Sequence, residues 1–194
     1  MRQKMKQLMG ILLSFVMVLG LMPGMSLPAY ADGTVTEVST ADAFLIAMEN
    51  GGEVKLTDSF VLPCNNSLSF EKEMTIDLNG HTLTVQTNEP KKCFWKIYAP
   101  MIIKDGLSGG EIINPSQTYT FLLKSGGFLK LEGGTLEFTN EMNSGIDAGE
   151  APFTMTGGTI KSSSYSIYRD GAKVTISGGT IIGSFKDSSG EIDI

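Results

Sequence analysis

The chain has 194 residues, with 15 Lys and Arg against 21 Asp and Glu, one histidine and two cysteines. This acidic balance argues against nucleic acid and anionic lipid as partners, because both recruit an excess of Lys and Arg. A structural zinc site, which wants about four Cys or His ligands at short spacing, does not fit these counts, and no metal or cofactor is expected.

Arg2, Lys4 and Lys6 precede the apolar run LMGILLSFVMVLGLM, Leu8 to Met22. Pro23 and Gly24 break that run, and Ala29-Tyr30-Ala31 supplies the small-x-small pattern a signal peptidase reads. Residues 1–31 are therefore expected to be a secretory signal cleaved after Ala31. Its loss removes three basic residues and no acids, leaving a mature balance of 12 − 21 = −9. The product is then secreted or displayed at the cell surface, free of the membrane after cleavage. An uncleaved anchor is the other reading, since the run falls only slightly short of the roughly 17 to 25 residues that span a bilayer.

Residues 32–53 read as an N-terminal cap. STADAFLIAMENGG, Ser39 to Gly52, offers Thr40 or Asp42 as helix cap, sets Phe44, Leu45 and Met48 on one side, and stops at glycine. Residues 54–194 are built differently. Glycine pairs recur at Gly109-Gly110, Gly133-Gly134, Gly157-Gly158 and Gly178-Gly179, and Gly80-His81 fills the same slot earlier. Steps of 29, 24, 24 and 21 residues fall in the band that signals a solenoid.

Apolar residues stand four and two before the first glycine: Ile76 and Leu78, Leu129 and Leu131, Phe153 and Met155, Val174 and Ile176. Leu83, Ile112, Leu136, Ile160 and Ile181 stand three after it, and Leu122, Ile146 and Ile167 eleven before it in the last three copies. Polar residues fill the gaps, so the period is two, as in strands with one buried face. Three short strands per copy, with glycine corners and no room for a helix, predict an all-β fold. A single-stranded parallel β-helix of five to six rungs is expected, its first rung covered by the capping helix. Thr82, Thr135, Thr159 and Thr180 are expected to form an outward ladder, and Glu137 and Lys161 a salt bridge between rungs. At the far end Ile192-Asp193-Ile194 looks like the strand that precedes another glycine pair. A longer protein is expected on that ground, with end-to-end contact of the open rung with another chain as the alternative.

Cys64 and Cys93 lie 29 residues apart, equal to the first repeat step, which could place them at one corner of neighbouring rungs. The insertion NEPKKCFW, Asn88 to Trp95, leaves both a disulfide and two separate thiols open.

The segments ADAFLIAMENGGEVKLT, MTIDLNGHTLTV and the GGTI rungs resemble the right-handed β-helix proteins of the pectin-lyase-like superfamily, in particular secreted surface proteins of Gram-positive gut bacteria. The likeness spans roughly residues 34 to 194. It implies a fold and leaves activity open, because the superfamily includes lyases, hydrolases and adhesin-like proteins. Its lyases use calcium held by Asp clusters with an Arg or Lys base, and its glycosidases use paired carboxylates.

Neither constellation stands out here. Columns aligned on the glycines carry no acids on adjacent rungs, and Glu111 and Glu132, in neighbouring columns, come nearest to a catalytic pair. Arg169, the one arginine of the mature chain, sits in the turn YRDGA, and His81 occupies a corner. Trp95, Tyr98, Tyr119, Tyr165 and Tyr168 fall in or near the first strand of successive repeats, where a stripe of rings could stack on sugars. The expected function is a non-catalytic extracellular module, a stalk or adhesin-like protein contacting a polysaccharide or host glycan. The competing expectation is the front part of a carbohydrate-active lyase or hydrolase with catalytic rungs beyond Ile194.

Overall fold

The computed structural model describes residues 35–89, 93–115, 119–139 and 145–187. The expected signal sequence and the strand expected at 192–194 lie outside the described residues.

Strand β1 (Thr36–Val38) leads into helix α1 (Ala41–Asn50), after which the chain coils as a parallel β-solenoid. One face stacks, in order, β1, β2 (Gly52–Leu56), β5 (Met74–Asp77), β8 (Pro100–Lys104), β11 (Phe128–Leu131), β14 (Phe153–Met155) and β16 (Val174–Ile176). A second face holds β3 (Phe60–Pro63), β6 (Thr82–Gln86), β9 (Glu111–Asn114), β12 (Thr135–Phe138) and the opening residues of β15 (Thr159–Arg169) and β17 (Thr180–Asp187). The third carries β4 (Leu68–Phe70), β7 (Trp95–Ile97), β10 (Phe121–Leu123), β13 (Ile146–Ala148) and the closing residues of β15 and β17.

Side chains alternate in and out along every face, so each inward position forms a column through the rungs. On the second face Leu83, Ile112, Leu136 and Ile160 are buried in register, with Ile181 packed beneath them. Thr82, Glu111, Thr135, Thr159 and Thr180 form the neighbouring outward column. The first face shifts against the glycine alignment. Ile76, not Leu78, shares a column with Ile103, Leu131, Met155 and Ile176, while Asp77 pairs with Lys55 and Lys104. A slip of two preserves parity, and Leu78 is still buried. On the third face the slip is one residue and flips the side chain: Phe121 pairs with Ile146, so Leu122 turns outward beside Asp147, contrary to its expected inward place.

The corners between the first two faces take two forms. In the last three copies the second glycine carries the positive φ, +79° at Gly134, +77° at Gly158 and +96° at Gly179. In the first two it moves back one residue, to Gly80 and Gly109, with Asn79 and Ser108 also positive. At the earliest corner His81 stands in the second place, where a side chain disfavours that conformation. Aspartates support this tighter bend across rungs. Gly106 N–H donates to Asp77 Oδ1 at 2.8 Å, and Gly80 N–H donates to Asp105 Oδ1 at 2.7 Å.

Helix α1 starts where Thr40 Oγ1 accepts from Ala43 N–H and stops at Gly51, whose N–H donates to Ala47 C=O at 2.9 Å. Its buried Phe44 lies 5.9 Å from the Phe60 ring and 6.2 Å from Trp95. The helix thereby covers apolar side chains that the first rung would otherwise present to water.

Candidate ligand-contacting site

Trp95, expected on a ligand-binding stripe, is fully buried. Its place in the column Leu68, Trp95, Phe121, Ile146 points it inward, where it packs against Phe70 at 5.0 Å and Phe121 at 5.2 Å. An indole in that column fills the core and cannot touch a ligand on the surface. Tyr98 is exposed just past β7. Tyr119 and Tyr168 come together, ring centroids 6.2 Å apart, and Lys186 Nζ lies over both Tyr165 and Tyr168, 5.4 Å and 5.5 Å from the ring centres.

Glu111 and Glu132 each face a lysine. Glu132 pairs with Lys130 at 2.6 Å, and Glu111 lies 4.0 Å from Lys161, which also reaches Glu137 at 3.5 Å. His81 shapes its corner through the backbone, its N–H donating to Leu78 C=O and its C=O accepting from Glu111 N–H. Arg169 is buried, with Nε donating to Ala172 C=O and Nη1 on Asp187 Oδ2 at 3.1 Å. Cys64 and Cys93 are bonded, their Cα atoms 5.5 Å apart across neighbouring rungs, one following β3 and the other preceding β7.

The side chains with the most chemistry gather on the third face. Its outward column runs Ser69, Lys96, Leu122, Asp147, Tyr168, Lys186. Around its middle opens a cleft of about 200 Å³ lined by Leu122, Leu123, Asp147, Gly149, Glu150, Tyr168 and Asp170. The strands fix this arrangement: β10, β13 and β15 place Leu122, Asp147 and Tyr168 on successive rungs, and the turn after β13 brings Glu150 over Lys124.

Asp147 is only 8% exposed. Its Oδ1 accepts from Gly149 N–H at 2.9 Å. Burial raises its pKa above the ordinary carboxylate value, with Glu150 and Asp170 adding to the shift and the Gly149 hydrogen bond and Lys124 opposing it. Burial likewise raises the Tyr119 phenol, helped by Asp147 and Tyr168. Glu150, in contact with the Lys124 ammonium, is held below its usual range. The cleft thus offers carboxylate acceptors beside aromatic rings, a surface suited to hydroxyl or amino groups on a compact ring. Among the described residues no three metal-ligating side chains are grouped to hold an ion.

Family models, curated proteins and solved structures were compared with the chain, and none matches it. The cleft was legible in one respect only. Aligning SGIDAGEA with YSIYRDGA superposes Ile146 on Ile167 and so Asp147 on Tyr168, each at the same distance before its glycine pair, while Leu122, counted the same way, falls one residue out of that column.

Proposed function

We propose that the protein is a secreted or surface-displayed bacterial β-solenoid of the pectin-lyase-like kind, contacting a polysaccharide or host glycan without cleaving it. The contact runs through Tyr119, Tyr165 and Tyr168 on the third face. The observation that carries this reading is the pair of rings Tyr119 and Tyr168 beside a cleft floored by Asp147. Sugar rings present apolar C–H faces that stack on aromatic rings and hydroxyls that donate to carboxylates. The leader-like N-terminus supports export, and a disulfide suits an oxidising compartment. Support for an enzyme is thinner, because Glu111 and Glu132 are each engaged by a lysine.

Retention of the purified protein on a panel of immobilised bacterial, plant and mucin-type glycans tests the proposal. At least one class is expected to hold it, and Tyr119→Ala with Tyr168→Ala is expected to weaken that binding about tenfold, the loss of two ring stacks, with circular dichroism unchanged. Unchanged retention in the double variant overturns the site. Release of new reducing ends from the bound glycan overturns the non-catalytic part.

A further inference from the structure

The third-face cleft combines three carboxylates, those of Asp147, Glu150 and Asp170, with the ring of Tyr168. We infer that this cleft recognises a protonated amino group, so that the glycan it takes is an amino sugar with a free ammonium, and that it rejects uronic acids. The inference deepens the carbohydrate reading and rests on it for the sugar, though not for the ammonium.

Three observations lead there. Asp147 lines the cleft while more than nine-tenths buried, and a single hydrogen bond, from Gly149 N–H to Oδ1, is its one hydrogen bond among the described residues. Its second oxygen is left to accept from whatever enters. A carboxylate in such a place gains most from a charged donor, because charge-assisted hydrogen bonds are stronger than neutral ones. Next, the cations already at this surface are ammonium groups, and they use the same acceptors. Lys124 binds Glu150 at the rim, and Lys186 lies over the faces of Tyr165 and Tyr168. The protein's own side chains show that these rings and carboxylates hold an alkylammonium by cation–π and ionic contact. Finally, both neighbouring lysines are engaged, Lys124 on Glu150 and Lys186 over the tyrosine rings, so a uronate or sialate would bring another carboxylate to a cleft lined by three acids and no base. Like charges at that distance repel and must be desolvated together.

A neutral N-acetyl sugar fits the rings and the hydroxyl acceptors yet leaves the second oxygen of Asp147 without a charged partner. The free amine supplies it. Asp147 is therefore the specificity-determining group, and Tyr168 supplies affinity for sugar face and ammonium together.

Isothermal titration calorimetry of the full secreted chain separates the possibilities. Four probes are used at a pH that keeps amines protonated and carboxylates ionised: the glucosamine disaccharide, its di-N-acetyl form, digalacturonate and ethanolamine. The glucosamine disaccharide is expected to bind about tenfold tighter than the N-acetyl form, the size of a partly desolvated cation–π and ionic contact. Digalacturonate is expected to be weakest, and ethanolamine to bind measurably. Asp147→Asn, which keeps the shape and the Gly149 contact, should erase the advantage of the amine. Glu49→Gln, an exposed change on α1, should leave it intact. Equal affinity for both disaccharides, preference for digalacturonate, or an advantage that survives Asp147→Asn overturns the ammonium inference while glycan binding stands. Ethanolamine binding that depends on Asp147, with no sugar bound, sustains the ammonium inference and overturns the glycan reading. Binding of none of the four overturns the inference.

Discussion

Asp147 is a residue that the fold holds at a disadvantage. Its buried carboxyl has a pKa raised above the ordinary value, so the native chain binds its proton more tightly than the unfolded chain does. Stability therefore falls as pH rises from the ordinary carboxylate value through the raised one, and the loss is complete above both. The groups facing it set the balance: Glu150 and Asp170 raise the shift, while Lys124 and Gly149 N–H lower it. Asp147→Asn keeps an oxygen for Gly149 and removes the charge, so it should stabilise the protein at neutral pH. The gain should vanish at pH below the ordinary carboxylate range. Urea denaturation at the two pH values checks this, and a neutral-pH loss of stability in the variant would contradict it. Neither the burial nor the cleft could be seen in the letters GIDAGEA, because an aspartate in a strand usually faces water. Trp95 misled in the opposite sense: its letters suit a sugar platform, and only the pairing with Leu68 and Phe121 turns it into the core.

At the scale of the elements, the corners were legible and their differences were not. Period-two alternation fixes parity, so inward positions survive a slip of two, as at Ile76 and Leu78. A glycine pair marks a bend without saying which glycine bends. The path from β10 to β11 is one residue longer than that from β13 to β14, since Phe121 pairs with Ile146 and Leu129 with Phe153, so counting back from the glycines misplaces Leu122 by one residue and leaves it out of the column of Asp147 and Tyr168. The two corner forms make a test. At Gly109 φ is +92° and an added Cβ meets nothing within 4 Å, so Gly109→Ala costs only the conformational strain, about 1–2 kcal/mol. At Gly157 an added Cβ would lie 2.3 Å from the Glu132 carbonyl oxygen on the previous rung, where backbone must move. Gly157→Ala should therefore destabilise more than Gly109→Ala, read as the lower urea midpoint. The reverse order would mean that the rungs are not stacked as tightly at this corner as described.

For the molecule as a whole, a coil in which each rung touches only its neighbours has stability that is close to a sum of local terms. An interior row of rings, Phe44, Trp95, Phe121 and Phe138, links α1 to the middle rungs, with successive centroids 6.2, 5.2 and 6.2 Å apart. The Cys64–Cys93 bond ties two rungs at the same end of the coil and closes a loop of 29 residues in sequence separation. Cross-linking a loop of that size restricts the unfolded chain and is worth about 2–4 kcal/mol. Because coupling in a solenoid is short-ranged, replacing both cysteines by alanine should not weaken all rungs equally. Hydrogen exchange should accelerate from β2 to β7, where the tie acts, while amides of β14 to β16 keep their protection. Loss spread evenly over the chain would show that the coil unfolds as one cooperative unit, and no loss at either end would show that the stacked rings and α1 already hold the first rungs without the bond.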